Sequence, residues 1–151
     1  MLMKNDNGNR YAQHEHLYKL VFGHGVDSIE GAVQRLFFAL GFKNKLIGTT
    51  YLREAVGTWC DMPTSARVVL TADIYPNVAR KFNSTAGRVE RAIRNTLLDC
   101  YSNGRLIFFN DLVQSDVISA QYPPTNGEFL SSVVSWLRIQ FRDRYRQLSF
   151  L

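Results

Sequence analysis

The sequence predicts an all-α domain of about six helices with a helix-turn-helix inside it. Three observations carry this expectation. Apolar residues recur three and four positions apart in several segments, the period of a helix with one buried face. Helix start and stop signals flank those segments: serine, threonine or aspartate before, and glycine, asparagine or proline after. Finally, 151 residues of which 46% are hydrophobic suffice to close one core.

Residues 1–26 are polar and mixed, with Asn7-Gly8 and Gly23-His24-Gly25 turn signals. They read as a weakly ordered arm with a short helix around His16 to Phe22. The domain proper is expected over 27–146, with 147–151 as a tail. Asp27 and Glu30 make a capping arrangement, and Ile29, Val33, Leu36, Phe37 and Leu40 follow at helical spacing until Gly41. Thr49 or Thr50 can cap a second helix with Leu52, Ala55, Val56 and Trp59 on its apolar side. A third is expected from Thr64 or Ser65 through Val68, Val69 and Ala72. Pro76 interrupts it and starts a short helix, Pro76 to Phe82, with Val78, Ala79 and Phe82 inward. After the turn Asn83-Ser84-Thr85, Ser84 is expected to cap a helix that runs to Ser102, where Asn103-Gly104 stops it. The run from Arg105 to Tyr122 is ambiguous between strand and helix, with a helix from Asn110 the better fit. Thr125 and Glu128 form a capping box for a last helix carrying Phe129, Val133, Trp136, Leu137 and Phe141. One of the adjacent Phe37 and Phe38 must point away from the core, where it could serve a dimer face.

Eighteen Lys and Arg against thirteen Asp and Glu give a net charge of +5. A basic balance suits an acidic partner such as nucleic acid, but small proteins are often basic without one. Cys60 and Cys100 form no CxxC pair and fall on helical apolar patterns, which favours buried reduced thiols in a cytoplasmic protein. The N-terminus turns polar after three residues, unlike a signal peptide. No apolar run approaches the ~20 residues of a membrane span. His14, His16 and His24 lack a nearby cysteine or acid to complete a metal site. No Ser/His/Asp order or glycine-rich phosphate loop stands out. No catalytic residue, metal or cofactor is expected. Arg142, Arg144 and Arg146 against Asp143 fit a solvated helix end favoured by the dipole, or a supplementary DNA or dimer contact.

The stretch Asn83 to Leu97 is the most informative. On a helical wheel Val89, Ala92, Ile93, Thr96, Leu97 and Cys100 share one half. Gly87, Arg88, Glu90, Arg91, Arg94, Asn95 and Leu98 share the other. The outward set holds the residue types that read base edges: arginine on guanine, asparagine on adenine, glutamate on cytosine. Between Arg80 and Arg94 there are five cations (Arg80, Lys81, Arg88, Arg91, Arg94) and one anion, Glu90. That local +4 is most of the net charge. A short helix, a turn and a longer helix is a helix-turn-helix, whose second helix enters the major groove. Arg80 and Lys81, Ser84 and Thr85, and the open first turn at Gly87 are placed for phosphates. Arginine-rich faces also occur on helices that bind nothing, and Glu90 with Arg94 is a common i,i+4 pair.

Here the sequence resembles a known family. IYPNVARKFNSTAGRVERAIRN, YLREAV at Tyr51 to Val56 and PTNGEFLSSV at Pro124 to Val133 resemble, in order, the C-terminal DNA-binding effector domain of the master sporulation response regulator (the sporulation initiation transcription factor A family). The resemblance covers roughly Leu46 to Phe141. It implies an all-α bundle of about six helices, unlike a winged helix, without enzyme activity. It implies a double-stranded-DNA-binding transcription regulator that touches short boxes, as homodimers or tandem copies, with a full-length sporulation regulator or RNA polymerase as further partners. Arg88, Glu90, Arg91, Arg94 and Asn95 resemble its groove-reading positions. Ser84, Thr85, Arg80 and Lys81 resemble its backbone-contacting region. Gly87 stands where the family usually has serine, and Asn95 where it usually has histidine, so the preferred box is expected to differ or one phosphate contact to be missing. Residues 1–45 are too short for the family's receiver domain, so the chain is expected to be either a stand-alone effector-like relative, which the Met1 start favours and which would be controlled by abundance or by a partner, or a piece of a longer protein. The alternative function is an interaction module that pairs with a full-length relative without reading DNA.

Overall fold

The computed structural model describes residues 13–149 apart from residue 24, with side chains as far as Asp143. Among the described residues are seven α-helices and no strand: α1 (His14–Phe22), α2 (Ile29–Ala39), α3 (Ile47–Cys60), α4 (Tyr75–Lys81), α5 (Ala86–Ser102), α6 (Phe108–Val113) and α7 (Asn126–Ser149). Residues 1–12, with much of the expected arm, lie outside the described residues, as do His24 and the side chains of Arg144 and Arg146.

The short helix expected near His16 is α1, and it is packed. Leu17, Val21 and Phe22 are buried, the Phe22 ring lies 5.6 Å from Trp136, and His14 Nδ1 meets the Leu112 carbonyl at 3.0 Å. The core is aromatic at its centre. Phe37 stacks near Phe42, with centroids 4.7 Å apart, and Phe129 sits 5.8 Å from Phe42 and 5.9 Å from Phe109. Phe37 is buried, whereas Phe38 is 74% exposed. Helical periodicity puts neighbouring residues about 100° apart, so the pair could not both face inward.

Several starts differ from the sequence reading. Ser28, not Asp27, caps α2, accepting from Gly31 N at 3.0 Å. Helix α3 begins at Ile47 without a side-chain cap. Thr49 is inside it, buried, donating to the Lys43 carbonyl at 2.7 Å. That hydroxyl closes the preceding loop rather than the helix end. Helix α6 starts at Phe108, and Asn110 is a buried bridge instead of a start, bonding Ile118 N at 2.8 Å and Ile118 O at 2.9 Å. The box at Thr125 and Glu128 forms as expected, with reciprocal bonds of 3.1 and 3.3 Å.

The expected helix from Thr64 through Ala72 is absent. Residues 63–69 are non-helical, and only a π-helical turn, Leu70–Ile74, leads into α4. Two causes are visible. The Asp73 carboxylate accepts from Val69 N at 2.7 Å, closing the turn locally and holding Val69 extended. Pro76 has no N–H to give Ala72, and its ring crowds that carbonyl, so the ladder widens and Tyr75 N reaches back to Leu70 O.

Candidate nucleic-acid interface

Helix α4 buries Tyr75, Val78 and Ala79 and ends in a tight reversal. Asn83 takes a left-handed conformation, φ 52°. Ser84 N then reaches Ala79 O at 2.8 Å and Asn83 N reaches Arg80 O at 3.4 Å. This pair of bonds is the Schellman closure, and asparagine tolerates the left-handed step better than most side chains. It uses the Ser84 backbone, so the cap of α5 falls one residue later than expected. Thr85 is extended, and its hydroxyl accepts from Arg88 N at 3.3 Å. The helix-turn-helix is therefore α4, the turn 82–85, and α5.

The inward side of α5 consists of Val89, Ile93, Thr96, Leu97 and Cys100, all buried. Helix α3 packs on it closely at one point. A Cβ on Gly48 would collide with the Thr96 hydroxyl and the Ala92 carbonyl, its carbon lying 2.8 Å away, so only glycine lets the two helices approach this far. The outward side carries Gly87, Arg88, Arg91, Arg94, Asn95 and Leu98 exposed, with Glu90 half-buried. Nothing stands near Gly87 where a side chain would project. Leu98 lines a groove of about 460 Å³ with Tyr75, Pro123 and Pro124, which gives this apolar residue a packing context.

The cations fall into two groups. Arg94 Nη2 lies 2.9 Å from Glu90 Oε1. Lys81 Nζ lies 2.8 Å from Glu54 Oε1 on α3, and this hydrogen bond holds the ammonium above its ordinary pKa. Arg80 donates to the Asn77 side chain. By contrast, the side chains of Arg88 and Arg91 are exposed and have no hydrogen-bond or ion-pair partner among the described residues. They lie on adjacent turns, about 4.5 Å apart along the axis. Ser84 is half-buried and Thr85 exposed beside them.

Sequence reasoning missed two residues that shape this surface: Glu54, which is 27 positions from Lys81, and Asn126. The Asn126 amide donates to the Tyr75 hydroxyl at 3.1 Å and to the Glu90 carbonyl at 3.2 Å. Burial pushes the Tyr75 phenol up, and the Asn126 bond pulls against it. No local pattern could have marked either contact.

Elsewhere the chemistry is structural. Arg138 Nη2 donates to the carbonyls of Trp59 (2.8 Å) and Met62 (2.7 Å), closing the C-terminal end of α3 with a cation. Arg142 pairs with Asp143 at 3.6 Å. Burial raises the Cys60 thiol to about 11 and the Cys100 thiol to about 12. No three His, Cys, Asp or Glu residues converge as metal ligands among the described residues.

The family described as "Sporulation initiation factor Spo0A C terminal" matches residues 33–137. That span covers more than two thirds of the chain and contains α3, the whole helix-turn-helix, α6 and the start of α7. The all-helical architecture agrees with that family's DNA-binding domain. The chain belongs to the family of Spo0A C-terminal domains, DNA-binding transcription-factor domains of sporulation rather than enzymes.

Proposed function

We propose that the chain binds double-stranded DNA sequence-specifically, with α5 in the major groove and its first turns on the bases. The observation that carries this reading is the pair Arg88 and Arg91: two guanidinium groups on adjacent turns, exposed and unengaged, on a helix anchored by its other side. An arginine with free N–H groups can meet guanine in bidentate fashion. Arg94 and Asn95 extend the same face, and Glu90 holds Arg94 in place rather than standing free to read cytosine. Arg80, Lys81, Ser84, Thr85 and the open step at Gly87 flank the reading face where the phosphate backbone would pass.

The test is selection of bound sequences from random duplex DNA. The reading predicts a short recurrent box. Recovery of unrelated sequences at low salt, with no enrichment over successive rounds, overturns it. Pairing with a full-length relative would instead give co-purification with that relative and no DNA affinity at low salt.

A further inference from the structure

Asn126 bonds none of the arginine side chains, yet it joins both helices of the helix-turn-helix. It is the first residue of α7, and the reciprocal Thr125–Glu128 bonds hold the backbone around it. Its side-chain amide has two N–H groups, and both acceptors are found: the hydroxyl of Tyr75 at the start of α4, and the carbonyl oxygen of Glu90 in the second turn of α5. A carbonyl oxygen has two lone pairs, so Glu90 can accept this bond and still serve the helix ladder. Glu90 lies between Arg88 and Arg91. On the opposite side of α5, Gly48 seats α3 against Ala92 and Thr96. The helix is thus gripped from two sides within the turns that carry the arginines.

We infer that Asn126 is a positioning residue for DNA recognition: its amide sets the angle of α5 relative to α4 and so aims the Arg88 and Arg91 guanidinium groups. The inference rests on the proposal that α5 reads the groove. Arginine is a long lever, so a small rotation of the helix displaces its tip far more than its backbone. Bidentate contacts to base edges are intolerant of such displacement, whereas attraction to phosphate depends mainly on charge. Loosening the clamp should therefore cost discrimination and spare non-specific affinity.

The experiment compares the full chain with Asn126→Ala and Tyr75→Phe. Binding is measured to the duplex recovered by selection and to a scrambled duplex, at matched salt. Asn126→Ala should weaken the selected duplex by about tenfold or more, with scrambled-duplex binding and salt dependence unchanged. Tyr75→Phe keeps the buried ring and should lose a smaller factor in the same direction. Unchanged affinity of Asn126→Ala for the selected duplex, or equal proportional losses on both duplexes, overturns the clamp. If circular dichroism shows Asn126→Ala unfolded, Tyr75→Phe decides by the same criteria. Absence of any sequence preference in the unaltered protein overturns groove reading itself and the clamp with it. Preference retained in full by both variants overturns the clamp alone.

Discussion

Arg88 and Arg91 differ from the other three cations of the motif in what they must give up to bind. Arg80, Lys81 and Arg94 already have partners, so a phosphate has to replace Asn77, Glu54 or Glu90. Exposed pairs of this kind contribute little to stability, typically below about 1 kcal/mol, so the exchange is cheap but gains little. Arg88 and Arg91 lose only water. Arg91→Ala should therefore cost about 1–3 kcal/mol on the selected duplex and relax the preference at one position, read by gel shift. An unchanged shift would remove Arg91 from base reading. Lys81→Ala should weaken all sequences alike and reduce the salt slope by about one unit. A loss confined to the selected duplex would place Lys81 on a base instead. The cysteines carry a separate prediction. Burial raises both thiols, from 9.0 to about 11 and about 12. The folded state therefore favours the protonated form, and this contribution to stability is present below pH 9 and lost as pH rises through 9 toward 12. A thiol-specific disulfide reagent at pH 8 should react slowly with the native chain and rapidly in denaturant. Prompt reaction of both thiols in the native state would contradict the burial argument.

The elements succeed or fail as predictions according to how local their causes are. The two faces of α5 were legible because burial of a helix side follows directly from residue spacing; Val89, Ile93, Thr96, Leu97 and Cys100 are the residues the wheel turns inward. The stretch from Thr64 to Ala72 misleads because its apolar residues fit a helical period while Asp73 and Pro76, further along the chain, dictate another path. The choice between Ser84 and Thr85 as cap was not legible either. Both side chains are competent, and the left-handed step at Asn83 decides by using the Ser84 N–H. Thr85→Ala should accordingly cost about 1 kcal/mol in denaturant unfolding, and Ser84→Ala less. The reverse order would restore Ser84 as the cap. Gly48 was invisible to pattern, because its role depends on a helix more than forty residues away. Gly48→Ala must push α3 from the backbone of α5, which should destabilise by about 1–3 kcal/mol. A neutral effect would show that the close approach is not required.

At the scale of the molecule, one core supports the charged face of α5. Helices α1, α2, α6 and α7 surround the aromatic centre, while α3 and the start of α7 grip α5 from two sides. No helix among the described residues is long and apolar enough to cross a membrane. Four of the five net positive charges fall between Arg80 and Arg94, so the excess charge that attracts a polyanion is concentrated in the motif that would read it. The fold class and family were legible in the sequence, because ordered motifs and helical periods survive without long-range information. The pairings Glu54–Lys81 and Asn126–Glu90 were not, because they depend on how the elements dock.

The central claim is that the unengaged guanidinium groups on α5 lie against base pairs. Nuclear magnetic resonance of arginine Nε–H groups, recorded as the selected duplex is added to the labelled chain, tests this directly. The account predicts that Arg88 and Arg91 signals shift and become protected from exchange with water, while those of Arg35 on α2 and of Arg105, past the C-terminal end of α5, stay in place. A saturated complex in which Arg88 and Arg91 keep their free positions and exchange rates would contradict it.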